Sequence, residues 1–129
     1  MSLWGLIFDS EGRILIAKRN QKKQFGGLWE FPSGKLENGE TSSDALIREL
    51  QEELKITVKI GRKFDSYNYQ DRDLEIMFHP IQCSIEKGQV TPTEHESVKF
   101  ISLDQLGEYE FAPPDYVAID MIRTKKQAR

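Results

Sequence analysis

Apolar residues fall in short β-rich runs over most of this chain and at helical spacing in one central stretch. WGLIF and RILIAKR are β-rich runs separated by DSEG, whose Asp and Gly suit a turn, so they predict a hairpin. NQKKQFGG follows as a polar, glycine-ended loop, and LWEFPSGKLENGE as an extended segment broken by proline and two glycines. From Thr41 to Leu54 the period changes. Ala45, Leu46, Leu50 and Leu54 form an apolar stripe, and Thr41 can cap the helix with Asp44 standing in for the acid of a capping box. ITVKI, FDSYNYQ and DLEIMFHPIQCSI predict strands, the last two joined at Gln70-Asp71-Arg72. VKFISL is a further short strand, and PPDYVAIDMIRTK a closing helix with proline in its first turn. No repeat, low-complexity segment or linker interrupts the pattern, so residues 1–129 read as one α/β domain.

Composition narrows the class. With 129 residues, 38% hydrophobic and 30% charged, the chain can bury one sizeable core and is neither disordered nor membrane-embedded in character. No apolar run approaches the roughly 18 residues a spanning helix needs, and MSLWGLIFDSEGRIL lacks the features of a secretion leader. Cys83 is alone, which excludes an intrachain disulfide and a cysteine zinc cluster; a buried thiol in a reducing cytoplasm is expected. A net charge of -3 leaves no nucleic-acid footprint, and the basic tail RTKKQAR is expected to be a frayed, solvated end. The chain is expected to be a monomer or homodimer.

The candidate chemistry lies in RELQEEL, residues 48 to 54. Glu49, Glu52 and Glu53 stand at i, i+3 and i+4, so they share one side of the helix despite their mutual repulsion. Their mean direction lies roughly 120° from that of Leu46, Leu50 and Leu54. The leucines enter the core and the glutamates line an adjacent edge. Alone, this spacing describes an ordinary solvated face, with Arg48 and Glu52 as an i, i+4 ion pair.

The upstream residues change that reading. From Gly34 the chain runs GKLENGETSSDALIRELQEELKI, which resembles the Nudix box G-x5-E-x7-R-E-U-x-E-E-x-G-U, with U a bulky aliphatic residue. Gly34, Glu40, Arg48, Glu49, Leu50, Glu52, Glu53 and Ile56 fall in place; Lys55 stands where the late glycine belongs. LWEFPSGKLENGE, the hairpin ending in AKR, the strands around YNYQDRDLEI and the ending FAPPD are similar to MutT-type members, which are nucleoside triphosphate pyrophosphohydrolases.

The resemblance implies a Nudix fold, a mixed β-sheet sandwiched between α-helices. It also implies that Glu49, Glu52 and Glu53, with a backbone carbonyl at Ser33 or Gly34, bind magnesium, with manganese as the alternative ion. One of these glutamates, or Glu94 or Glu96 in TEHES, would orient or deprotonate water. Arg48 would hold a glutamate in position, and Glu40 would fix the loop to the helix. Arg19 and Lys35 would meet phosphate. Phe31, Tyr69 and Asp115 match base-pocket positions of MutT-type relatives, although Phe31 and Tyr69 also suit plain packing and Asp115 a helix start. His79 and His95 lack partners at metal-ligand spacing, so neither is expected as a metal ligand.

The expected reaction is metal-dependent attack of water within a triphosphate, giving a nucleoside monophosphate and pyrophosphate. A damaged or non-standard nucleotide is the expected substrate, guanine-type before cytosine-type if Asp115 is ionised. An ADP-ribose or dinucleoside polyphosphate hydrolase is the alternative within the family. A nucleotide sensor without hydrolysis is the alternative outside the enzymes. Two departures bear on this reading. Lys55 is expected to take up a left-handed conformation at small cost. MutT-type relatives carry further residues before WGLIF that line the base pocket, so the first strand is expected to be clipped.

Overall fold

A computed structural model describes residues 1–127. The first hairpin forms as expected, from β1 (Ser2–Phe8) and β2 (Ile14–Lys18). Its turn is organised by Asp9, whose carboxylate accepts from the backbone N–H of Glu11 and of Arg13, both at 2.9 Å. Two short strands, β3 (Trp29–Glu30) and β4 (Ser33–Lys35), follow, with α1 (Ser42–Leu54) next. β5 (Thr57–Lys63), β6 (Tyr67–Asp71), β7 (Leu74–Lys87) and β8 (Ser97–Ile101) complete the sheet, and α2 (Asp115–Gln127) closes the fold.

The sheet is mixed. β1 runs parallel to β7, from Ser2 opposite Phe78 to Phe8 opposite Ser84, while its pairings with β2 and β4 are antiparallel. The main path is β3-β2-β1-β7-β5, with β4 on β1, β6 on β7 and β8 on β2. Alternation along β1 sorts its side chains onto two faces. Leu3 and Ile7 join Leu46, Leu50 and Leu54 of α1, whereas Trp4 and Leu6 join Ala118, Ile119 and Ile122 of α2. Each face therefore needs its own helix, and the sheet is sandwiched between the two.

Several local expectations shift. The β6–β7 turn lies at Arg72-Asp73 and not at Gln70-Asp71-Arg72, because Gln70 and Asp71 still pair with Glu75 and Leu74 and Arg72 supplies the positive φ of 54°. Pro113 and Pro114 occupy the turn before α2 and not its first helical positions. A 3-10 helix at Leu103–Glu108 had no counterpart in the apolar pattern; Gln105 Oε1 accepts from Ser102 N at 3.0 Å at its start. α2 continues through most of the basic tail, to Gln127, where a frayed end was expected; Ala128 and Arg129 lie outside the described residues.

Candidate functional site

The helix that carries the glutamates is held at both ends. Thr41 Oγ1 accepts from Asp44 N at 3.1 Å, satisfying one of the free donors at the N-terminus. Lys55 adopts φ 61° and ψ 32°, the left-handed conformation that glycine would take, and its N–H still bonds to Gln51 O. Three further bonds cap the last turn from the loop after β7. Thr91 N donates to Leu54 O at 2.8 Å, and Thr93 N and Oγ1 both donate to Glu53 O at 3.0 Å.

Between these ends Arg48 gathers the acids. Its Nε and Nη2 form a fork on Glu40 at 2.8 and 3.0 Å, and its Nη1 reaches both Glu49 Oε1 and Glu52 Oε1 at 3.0 Å. Nη2 also donates to the Lys35 carbonyl at 3.1 Å, so the guanidinium ties β4 to α1. Glu40 accepts from Glu37 N, and its hydrogen bonds with Arg48 hold its carboxyl below the ordinary range.

Glu49 and Glu53 face a cleft of about 280 Å³ lined by Ser2, Ser33, Gly34 and Lys35. Gly34 lies so close to Glu49 that a Cβ would sit 2.2 Å from Glu49 Cγ, which only glycine avoids. Burial, and then the charges of Glu49, Glu94 and Glu30, push the Glu53 carboxyl up to about 8. Glu52 stands apart from the other two. More than half exposed, it is turned to Arg48 and does not line the cleft. Among the described residues, no three carboxylate, imidazole or thiol groups converge as they would around an ion. The donor set still suits a hard divalent cation: apart from the Lys35 amine the cleft offers oxygens, and a crowded carboxylate at Glu53 gains from a neighbouring positive charge.

A second cleft, of about 170 Å³, adjoins the first through Ser2 and Ser33. Arg19, Glu30, Ile76 and Asp115 line it. Asp115 is 1% exposed, and its Oδ2 accepts from Phe31 N at 2.8 Å across the fold. Burial raises its pKa well above the ordinary carboxylate value, so the expectation of a freely ionised Asp115 changes. Of the two readings of Phe31, its ring takes the packing one. Its ring lies in the core, 5.4 Å from that of Phe111, because inward positions of the β3–β4 segment must fill the space beneath α2; its backbone, not its ring, meets the cleft region. Tyr69 packs against the same core opposite Ile76 and does not line the cleft. Glu94 pairs with Lys23 at 3.7 Å, and Glu96 N donates to Lys18 O.

Comparison with known proteins decides the lineage. Residues 3–121 match the family model described as NUDIX domain. The chain belongs to the Nudix family. Its Nudix relatives include the CTP pyrophosphohydrolase of Escherichia coli strain K12, 31% identical over 95% of this chain and 91% of that protein. The 8-oxo-dGTP diphosphatase of the same strain is 30% identical over 92% of each chain. In three dimensions the chain is similar to the solution structure of the E. coli ORF135 protein, with 28% identity, a TM-score of 0.80, and coverage of 99% of this chain and 91% of that one. These likenesses make it a MutT-type Nudix hydrolase, an enzyme of phosphoanhydride bonds that works with a divalent metal. None of its described helices is long and apolar enough to cross a membrane.

One residue of the site was not singled out by sequence reasoning. Glu30, 9% exposed, contacts Arg19 at 2.6 Å and His95 at 2.9 Å. No local spacing announces it, since its partners lie 11 and 65 residues away.

Proposed function

We propose that this chain hydrolyses a nucleoside triphosphate, oxidised or otherwise non-standard bases included, to the monophosphate and pyrophosphate. One observation carries the reading. The crowded Glu49–Glu53 cleft shares Ser2 and Ser33 in its lining with the Arg19–Asp115 cleft, so an acidic, cation-attracting end lies beside a polar slot. That order suits a molecule with a polyphosphate at one end and a base at the other. The relatives named for CTP and 8-oxo-dGTP support the substrate class.

In this reading Glu49 and Glu53, which face the cleft, would hold magnesium, or manganese, together with a carbonyl oxygen of Ser33 or Gly34, and Glu52 would join them by turning from Arg48. Bound there, the ion would neutralise phosphate charge, lower the pKa of water and steady the leaving group. The protein's own share is positional. Arg48 keeps Glu49 and Glu52 oriented through its anchor on Glu40. Arg19 from the second cleft and Lys35 from the first meet phosphate oxygens. Asp115, anchored by Phe31 N, faces the base. Glu53, or Glu94 or Glu96 from the loop that caps α1, takes the proton from water. A cytoplasmic setting suits the buried Cys83 thiol, which burial pushes up to about 12 and thus keeps inert.

The test is a screen of nucleoside triphosphates, ADP-ribose and dinucleoside polyphosphates with magnesium. Pyrophosphate release from triphosphates supports the proposal. Turnover confined to ADP-ribose or dinucleotides, or binding without turnover, overturns it.

A further inference from the structure

His95 is nine-tenths buried at its side chain, yet lies on a loop and outside the residues assigned to the reaction. Its Nε2 is 2.9 Å from Glu30 Oε2, and facing a carboxylate it acts as donor. The other oxygen of Glu30 accepts from Arg19 Nη1 at 2.6 Å, so this buried carboxylate is shared between an imidazole and a guanidinium. Arg19 has one further anchor: its Nε donates to Gln24 O at 2.7 Å. Two contacts fix the plane of a guanidinium and leave its remaining N–H edge for the cleft that Arg19 lines.

The loop that delivers His95 is not free. Thr91 and Thr93 bind it to the C-terminal carbonyls of Leu54 and Glu53, the end of α1 that carries the acidic cluster. A continuous chain of contacts thus runs from α1 through His95 and Glu30 to Arg19.

We propose that His95 and Glu30 are positioning residues that hold Arg19 aimed at substrate phosphate, in register with the carboxylates of α1. The inference rests on the assignment of Arg19 to phosphate made above. Without His95, one oxygen of Glu30 loses its donor in a nearly dry site, and the carboxylate swings to satisfy it. Arg19 then follows. Binding suffers more than the chemical step, because neither residue touches the attacked phosphorus.

The experiment is a double-mutant cycle in the magnesium-loaded enzyme acting on its best triphosphate. His95→Ala raises KM on the order of tenfold with a smaller change in kcat, the scale of coupling between contacting residues. In an Arg19→Ala background the same substitution adds almost nothing. His95→Gln, which keeps an N–H donor, recovers most of the loss. Should His95→Ala fail to fold, Glu30→Gln carries the same cycle, since it removes the charge that holds Arg19 and keeps the shape. Additive KM effects, or a loss confined to kcat, overturn the positioning role while Arg19 stays assigned to phosphate. An unchanged KM in Arg19→Ala removes the assignment of Arg19 itself, and this inference with it.

Discussion

Gly34 and Glu49 touch so closely that β4 and α1 meet backbone against side chain: a Cβ at Gly34 would stand 2.6 Å from Glu49 Cβ and 2.2 Å from its Cγ. Gly34 also pairs with Leu3 of β1, so it cannot retreat without breaking the sheet. Gly34→Ala must therefore move Glu49. Overpacking of this kind costs about 1–3 kcal/mol, and displacement of a site carboxylate should cost roughly a hundredfold in turnover. Thermal unfolding and steady-state kinetics on the same sample check both. An alanine variant with full turnover would mean that Glu49 is not needed where it lies.

Arg48 holds Glu40 with a fork that lysine cannot copy. Arg48→Lys should keep the fold and the charge but loosen Glu49 and Glu52. Residues that orient ligands in this way typically contribute about 10–100-fold to metal affinity or activity. The expected outcome is a higher magnesium requirement, read from activity against metal concentration. An unchanged requirement would reduce Arg48 to a loop anchor.

Glu53 gives a pH signature. Its carboxyl is raised from 4.5 to about 8 in the folded metal-free protein, first by burial and then by Glu49. The folded state holds this proton more tightly than the unfolded state, so the associated stability is present below pH 4.5 and is lost as pH rises toward 8. Asp115, raised by its own burial, acts in the same direction. The metal-free melting temperature should fall across this window, and Glu53→Gln should flatten the fall. Magnesium added at the high end should restore stability by binding the folded state. Equal slopes in both proteins would remove Glu53 from the account.

Asp115 bears on base choice. With burial favouring the protonated acid, the group offers a donor beside its acceptor, much as asparagine does. That pattern suits the amino-and-ring-nitrogen edge of cytosine better than the paired donors of guanine, which an ionised carboxylate would prefer. Asp115→Asn should keep the base preference seen at neutral pH, whereas Asp115→Ala should change discrimination selectively, by about 1–3 kcal/mol. The readout is kcat/KM across the base series. A uniform change across bases in Asp115→Ala would leave Asp115 only its bond to Phe31 N.

Much of this site was legible because it is local. The i, i+3, i+4 spacing of Glu49, Glu52 and Glu53 and the fixed offsets of Gly34, Glu40 and Arg48 are properties of one segment, and the helix keeps them. The strands were legible for the same reason, from runs of β-rich residues. What spacing does not encode is which way a lone position faces once the sheet is assembled. Phe31 therefore went to the core while its N–H went to Asp115. Glu52 took the i, i+4 partner that its spacing offered, Arg48, and so turned from the cleft that Glu49 and Glu53 face. Nor could the pairing of Glu30 with His95 be read, because a crossing from β3 to the β7–β8 loop exists only after the sheet order is set.

Attack of water inside a triphosphate at the α1 carboxylates is tested by the product balance of a triphosphate turned over with magnesium by the wild type and by Glu53→Gln. The wild type should release equimolar monophosphate and pyrophosphate, and the variant at least about a hundredfold less of both. Release of diphosphate and orthophosphate, or a Glu53→Gln variant as fast as the wild type, would contradict it.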